Sequence, residues 1–247
     1  MLETVIAGAR TVVLVPLFFV YTLALSLIVI VYGSFRPTSS IHDSILRHWS
    51  RLFLGIPPVR VSVEGAQHVD PEQRYVVAAN HLSMFDIPLL FRVLPVKGRF
   101  LSKQEVFRVP LLGRAMRTVG IIEIDRSSGS SSRQAIVDGV QLGAERGYSF
   151  IVFPEGTRST SGELLPFKKG AFRIAIDSGL PLLPVVIEGT DRVSRPGSKV
   201  FYPGNVVVRI LEPIPTADMT NKDDLNPMVT SVESAMNAAY DDMRTPA

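Results

Sequence analysis

Hydrophobic and polar positions fall into three regimes along this chain. Residues 11–35 contain no Asp, Glu, Lys, Arg or His, and 12–32 are almost entirely Val, Leu, Ile, Phe and Ala. A helix over that run reaches about 35 Å at ~1.5 Å per residue, slightly more than a hydrocarbon core of ~30 Å. A signal peptide is the competing reading, but the apolar block outlasts an ordinary h-region and no small-residue cleavage site closes it. A buried soluble helix is the other, and Pro16 would bend it. In the second regime, 39–56, Ile41, Ile45, Trp49, Leu52, Phe53 and Ile56 recur at helical spacing,. This predicts an amphipathic helix with Trp49 at the headgroup level and Arg47 and Arg51 toward phosphates, although the pattern also fits a surface helix packed on a domain. Gly55-Ile56-Pro57-Pro58 ends it.

Beyond Pro58 short apolar runs alternate with helical patterns, which predicts an α/β fold: a mixed central sheet flanked by helices, behind an N-terminal hydrophobic plus amphipathic helical membrane anchor. The division falls at 1–57 for the anchor and 58–247 for the remaining domain. Strands are expected over 59–63, 75–79, 99–102, 119–124, 149–153, 182–187 and 206–211. Helical stripes run through Ile136, Val137, Val140 and Ala144, then Phe167, Ala171, Ile174 and Ala175, and finally Val229, Val232, Met236, Tyr240 and Met243,. The Ser/Gly-rich piece 127–132 reads as a mobile loop by composition.

Composition narrows the chemistry. The 247 residues suffice for one substantial domain,. The absence of cysteine excludes disulfides, thiolate zinc, iron–sulfur clusters and a cysteine nucleophile,. The formal charge of +3 is too small to imply nucleic acid,. Its distribution is more informative, because Arg92, Lys97, Arg99, Lys103, Arg108, Arg114 and Arg117 face the single acid Glu105 between residues 89 and 117. Interleaved aliphatics point to an anionic membrane surface or a polyanionic substrate rather than nucleic acid. If the first helix spans, Arg36, Arg47, Arg51 and Arg60 outnumber Arg10 and place the following domain in the cytoplasm,. That corresponds to the inner membrane in a bacterial cell.

The chain has no Gly-x-Ser-x-Gly, Gly-x-Gly-x-x-Gly, Walker or His-Glu-x-x-His motif,. Asn80-His81-Leu82-Ser83-Met84-Phe85-Asp86 follows directly on a strand, and Ser83 with Asp86 has the form of a capping pair that turns the carboxylate back toward the imidazole. A carboxylate on one ring nitrogen leaves the other to take a proton. A second constellation, Phe153-Pro154-Glu155-Gly156-Thr157-Arg158-Ser159, also follows a strand. Gly156 allows a tight turn, and Thr157, Arg158 and Ser159 supply donors for a phosphate, so this reads as an anion cradle. Glu155 there needs a cation or hydroxyl partner, for which Arg126 is a candidate. Pro166-Phe167-Lys168-Lys169-Gly170 opens the next helix, adding two lysines and a helix N-terminus. Lys103, after the strand that follows the first motif, is a further candidate for a phosphate or oxyanion. A metallohydrolase built from His81, Asp86 and Glu155 has too few nitrogen ligands for a transition metal. A noncatalytic anionic-lipid-binding protein would leave the pairing of His81 and Asp86 beside the cradle without a purpose.

Four blocks in this order, Asn80-His81 with Asp86, then 120–126 ending in Asp125-Arg126, then Phe153 to Ser159, then 180–186, resemble the glycerophospholipid acyltransferase family. The family's aromatic in the second block is replaced here by Ile121 or Ile122, with the arginine kept. The resemblance implies acyl transfer from a thioester to the sn-2 hydroxyl of 1-acyl-glycerol-3-phosphate, or to another lysolipid or glycerol-3-phosphate. It implies His81 as base, Asp86 as its orienting acid, and Arg126, Glu155, Gly156, Thr157 and Arg158 on the glycerol phosphate. No metal and no tightly bound cofactor is expected. The partners implied are the phospholipid bilayer, lysophosphatidic acid, and acyl-CoA or acyl carrier protein as donor; nucleic acid is not among them.

Overall fold

The computed structural model describes residues 2–37, 39–124 and 129–245. Along the chain these form α1 (Leu2–Phe35), α2 (Ile41–Gly55), β1 (Val59–Glu64), β2 (Val76–Ala79), α3 (Asp86–Val93), β3 (Lys97–Lys103), α4 (Gln104–Phe107), α5 (Leu112–Thr118) and β4 (Ile122–Ile124). There follow α6 (Gly129–Glu145), β5 (Tyr148–Val152), α7 (Gly170–Ser178), β6 (Leu182–Glu188), α8 (Thr190–Val193), β7 (Gly204–Ile210) and α9 (Leu225–Arg244).

The strands make one seven-stranded sheet in the order β1-β7-β6-β2-β5-β3-β4. Strands β6, β2, β5, β3 and β4 are mutually parallel, while β7 runs antiparallel to β6 and takes β1 alongside it in parallel. All seven predicted strands are present. The fourth is shorter than expected because Val119 closes α5 and Gly120 turns with φ +90° before the strand begins.

Period-two alternation divides the core between the two sheet faces. Val77, Ala79, Ile151, Leu183, Val185 and Ile187 pack with α2 and α3, whereas Val76, Ala78, Phe150, Leu182 and Val186 pack with α7 and α9. Every residue of β6 is buried, as suits a strand covered on both faces,. The serines and glycine of 129–132 form the opening turn of α6 rather than a loop, and 127–128 lie outside the described residues. Helices tolerate such residues in the first turn, where backbone N–H groups have no intrahelical partner. The short α4 and α5 were not expected, since four and seven residues give too little periodicity to read,.

Helix α1 lies along the body on one stripe, with Ala7, Thr11, Ser26, Val29, Ile30 and Gly33 buried and Val12, Val13, Leu17, Phe19, Val20, Leu27, Ile28 and Val31 exposed. Near its start Thr11 Oγ1 accepts from Phe201 N at 3.0 Å and Arg10 donates to the Phe201 carbonyl at 3.3 Å. At its other end Val29 and Ile30 pack on Ala115 and Val119. There a Cβ on Gly33 would fall 2.2 Å from Thr118 Cγ2, so only glycine permits this approach.

Helix α2 is buried on a rotated face: His42, Ser50, Phe53 and Leu54 point inward, while Ile41 and Leu52 of the expected stripe are exposed. The reason is that α2 is covered from two sides, by α1 and by α3. Trp49 is correspondingly turned into the protein. It stacks on Phe53 at 5.8 Å and donates to Thr22 Oγ1 at 3.0 Å, between the two helices. Arg99 is another departure. Instead of adding to a basic surface it is 1% exposed, donates to Asp43 Oδ1 of α2 at 2.6 Å and lies 3.9 Å over the Tyr148 ring.

Candidate active site

The candidate residues gather at one edge of the sheet because parallel strands end there together. His81 follows the end of β2, Pro154 to Arg158 follow β5, Lys103 ends β3, and Thr190 lies just beyond β6. Loops at the carboxyl ends of parallel strands are the usual seat of a ligand site in an open α/β sheet. Asn80 fixes the exit of β2. Its side chain is fully buried, donating to the Ile187 carbonyl at 2.9 Å and accepting from Ile187 N at 2.7 Å.

Asp86 begins α3 with its carboxylate fully enclosed. Its Oδ2 lies 2.7 Å from His81 Nδ1 and accepts from Leu82 N and Ser83 N at 2.8 Å each. Ser83 Oγ accepts in turn from Phe85 N at 3.0 Å, so Ser83 and Asp86 stitch the turn together before the helix,. Pro88 is harmless in the first turn, where its missing N–H would have no partner. On the far side, Thr190 Oγ1 donates to Asp86 Oδ1 at 2.5 Å. Four polar partners thus surround the carboxylate in the interior, and the ring is left with Nε2 unengaged by it. The His81 side chain is 13% exposed and is stacked on Phe153, with ring centroids 3.9 Å apart and planes 10° from parallel. Phe100 backs Phe153 at 5.6 Å.

The turn after β5 is fastened to the backbone of His81 from both sides. Glu155 Oε1 accepts from His81 N at 2.8 Å, and Ser159 N donates to the His81 carbonyl at 2.8 Å. Glu155 Oε2 accepts from Leu165 N at 3.1 Å. Glu155 is only 1% exposed, and each of its carboxylate oxygens accepts from one of these backbone N–H groups, which ties the turn together. Burial pushes its carboxyl up from 4.5 to about 7, against the lowering effect of the two N–H groups and with a smaller upward push from Asp86,. Gly156 takes φ +73°, and a Cβ there would fall 2.8 Å from Lys168 Nζ. An ammonium therefore lies against the turn, while Thr157 and Arg158 stand exposed at its tip.

Lys103 is exposed at the end of β3, two strands from β2 along the same edge. Arg126 lies outside the described residues, and β4, which leads to it, ends at this edge through the pairing of Lys103 with Ile124. Sequence reasoning missed Thr190. A polar residue after Gly189 at the end of a strand was a signal of the same kind as His81, but its value depends on β6 being the neighbour of β2. The lysine on Gly156 was visible only as part of a basic helix start.

An open α/β sheet carries an imidazole–carboxylate pair and a glycine turn flanked by cations at its carboxyl edge, the arrangement of an enzyme-like site. Residues 60–188 match the family model described as Acyltransferase, and the chain belongs to that family. Among curated proteins it is similar to 1-acyl-sn-glycerol-3-phosphate acyltransferase alpha of Mus musculus, 34% identical over 188 residues, covering 76% of this chain and 66% of that protein. It is similar also to 1-acyl-sn-glycerol-3-phosphate acyltransferase of Saccharomyces cerevisiae, at 36% over 191 residues with 76% and 61% covered. The plant enzyme of that name from Limnanthes douglasii is 36% identical over 166 residues, with 67% and 57% covered. The match thus spans between 57% and 66% of these relatives' own length. The fold is that of the 1-acyl-sn-glycerophosphate (LPA) acyltransferase PlsC from Thermotoga maritima, with TM-score 0.81 over 98% of this chain and 99% of that one at 23% identity.

Proposed function

We propose that this protein transfers a fatty acyl group from a thioester of coenzyme A or acyl carrier protein to the sn-2 hydroxyl of 1-acyl-glycerol-3-phosphate, giving phosphatidic acid. The observation that carries the reading is the double fastening of the 155–159 turn to the backbone of His81, which holds an imidazole base and an anion-binding turn in one rigid unit. A small phosphorylated alcohol seated on that turn presents its hydroxyl to His81. His81 Nε2 takes the hydroxyl proton as the oxygen attacks the thioester carbonyl, and Asp86 stabilises the imidazolium. Collapse of the tetrahedral intermediate expels the thiolate, which takes the proton back. No acyl-enzyme is formed. Arg158, Lys168 and the Gly156 turn hold the phosphate, with Thr157 and Lys103 on the same edge and Arg126 assigned to the phosphate by its motif alone.

The membrane part of the reading rests on α1. It is charge-free from 11 to 35 and its outward face is apolar, yet its two ends dock on one body, at Phe201 and at Thr118. A helix held along its length by one domain lies within a single leaflet, with residues 1–57 as the membrane-facing layer and 58–247 as the catalytic unit on the cytoplasmic face. The deciding experiment offers the purified protein lysophosphatidate, other lysolipids and glycerol-3-phosphate with each donor type, with products identified by mass. Phosphatidic acid formation that is lost by at least about 100-fold in His81→Ala supports the assignment. Retained turnover in that variant, or no acyl transfer to any acceptor, overturns it.

A further inference from the structure

Where α1 ends, it closes a cavity of about 250 Å³ against the body, lined by Gly33, Ser34, Arg114, Arg117, Arg146 and Tyr148 among others. This is not the active site. Tyr148 opens β5, so the cavity lies at the amino edge of the sheet, whereas His81 and the anion turn lie at the carboxyl edge.

The charges of the cavity are unbalanced. Arg117 is paired with Glu123 at 2.6 Å, and its guanidinium rests 4.9 Å from the Phe107 ring. Arg114 and Arg146 meet no carboxylate among the described residues, and no acid is among the residues lining the cavity. Arg99, behind Tyr148, spends its own charge on Asp43. Two exposed guanidinium groups thus converge on a recess that the charge-free helix borders at the point where its apolar run stops. Its volume is just below the ~300 Å³ at which small-molecule pockets begin, a match for a headgroup and not for a whole lipid.

We infer that this recess seats the phosphate of an anionic membrane phospholipid, as a second lipid site separate from the one that turns over. The inference rests on the membrane reading above. With α1 in the leaflet, Ser34 and Arg36 mark the level at which the chain leaves hydrocarbon, and Arg114 and Arg146 stand at the height of headgroup phosphates. Arginine suits this task, because its fork takes phosphate oxygens in pairs. The bound lipid would hold the end of α1 onto α5 and fix the depth at which the protein rides.

The test is co-sedimentation of the full chain with phosphatidylcholine vesicles, with and without phosphatidylglycerol, for the wild type, Arg114→Gln/Arg146→Gln, and the control Arg92→Gln/Lys97→Gln, whose exposed cations lie outside the recess. A parallel arm titrates inorganic phosphate against chloride at matched ionic strength and reads the thermal midpoint. The expected result is preference for the anionic vesicles that falls about 30-fold in the recess variant, from roughly a fivefold loss per arginine, and much less in the control. Acyl transfer from detergent-dispersed substrates should stay at the wild-type rate in both variants. Equal losses in the two double variants, or no preference for the anionic lipid, overturn the site. Stabilisation by inorganic phosphate that depends on the recess, without any effect of the variants on vesicle binding, assigns it to soluble phosphate and also overturns it. If the wild type sediments with neither vesicle, the membrane reading itself fails.

Discussion

Thr190 and Asp86 are joined by a 2.5 Å hydrogen bond that fixes the carboxylate from the side opposite His81. The bond ties the loop after β6 to the start of α3, and so passes the rigidity of the central sheet to the imidazole. Asp86→Asn keeps an acceptor for the ring but removes the charge that supports the imidazolium, so kcat should fall by about 10²- to 10⁴-fold with the fold intact. Thr190→Val leaves Asp86 Oδ1 without its donor, which should cost about 1–3 kcal/mol of stability and about tenfold in kcat. Thr190→Ser should restore both. Steady-state thiol release and urea unfolding measure the two effects, and wild-type kcat in Asp86→Asn would remove the acid from the mechanism.

Much of this arrangement was legible in the chain, for reasons that differ by element. The strands were readable because β6 and β2 are short apolar runs bounded by turn residues, as central parallel strands must be. His81, Asp86 and the 153–159 turn stood out because each follows such a run. The face of α2 was misread because its burial comes from two directions, which one stripe cannot encode. Thr190 and the packing of Lys168 on Gly156 depend on which strands are neighbours, and strand order is not written in local pattern. Arg99 looked like its basic neighbours until the fold supplied Asp43.

Glu155 gives a pH signature. The native state favours the neutral acid, with its carboxyl at about 7 against 4.5 when unfolded. The stabilisation this confers is fully present below pH 4.5 and is lost as pH rises to about 7, a change of about 3 kcal/mol,. Glu155→Gln removes the titration and turns an amide N–H toward one of the two backbone donors, a cost of about 1–3 kcal/mol that does not vary with pH. The wild type should therefore lose about 3 kcal/mol of stability relative to Glu155→Gln between about pH 4.5 and about pH 7, read from urea midpoints,. A constant separation across that range would show that Glu155 titrates normally.

Arg158 and Lys168 act before the chemical step if they hold the acceptor's phosphate. Arg158→Ala or Lys168→Met should raise the KM for the phosphorylated acceptor by about 10- to 100-fold, the worth of one charge-assisted hydrogen bond, and leave kcat within about threefold. The KM for the acyl donor should not move. Acceptor and donor titrations separate these outcomes, and an unchanged acceptor KM would place the cation outside the phosphate site.

The Arg99–Asp43 pair joins α2 to the sheet, and Arg99 has almost no access to water. Asp43→Ala leaves a buried guanidinium unpaired and should destabilise the protein by about 3–5 kcal/mol. Arg99→Met with Asp43→Leu removes both charges and should recover most of that loss, because desolvation of the pair is then avoided. A urea-unfolding cycle over Asp43→Leu, Arg99→Met and the two together gives the coupling. A double variant no more stable than Asp43→Ala would show that shape, not charge, holds the helix there.

Native absence of cysteine makes the path of α1 directly measurable, since each single substitution introduces the only thiol. Leu2 and Phe35 bracket the helix at 73% and 79% exposure, and Val20 lies between them at 64%. The helix is 34 residues long, about 50 Å at ~1.5 Å per residue, and far exceeds one leaflet's depth if it stands upright,. Both of its ends are nonetheless fixed to one body, so an upright helix would have to drag Phe201 or Thr118, with the elements behind it, into hydrocarbon. That step would strand backbone polar groups without water. Lying flat avoids the penalty and buries the outward apolar stripe. In membranes with a single accessible face, Leu2→Cys and Phe35→Cys should both react with an impermeant maleimide from that face, and Val20→Cys should stay protected until detergent is added. Labelling of only one end before permeabilisation would mean that α1 crosses the bilayer and that its docking along the body does not persist there.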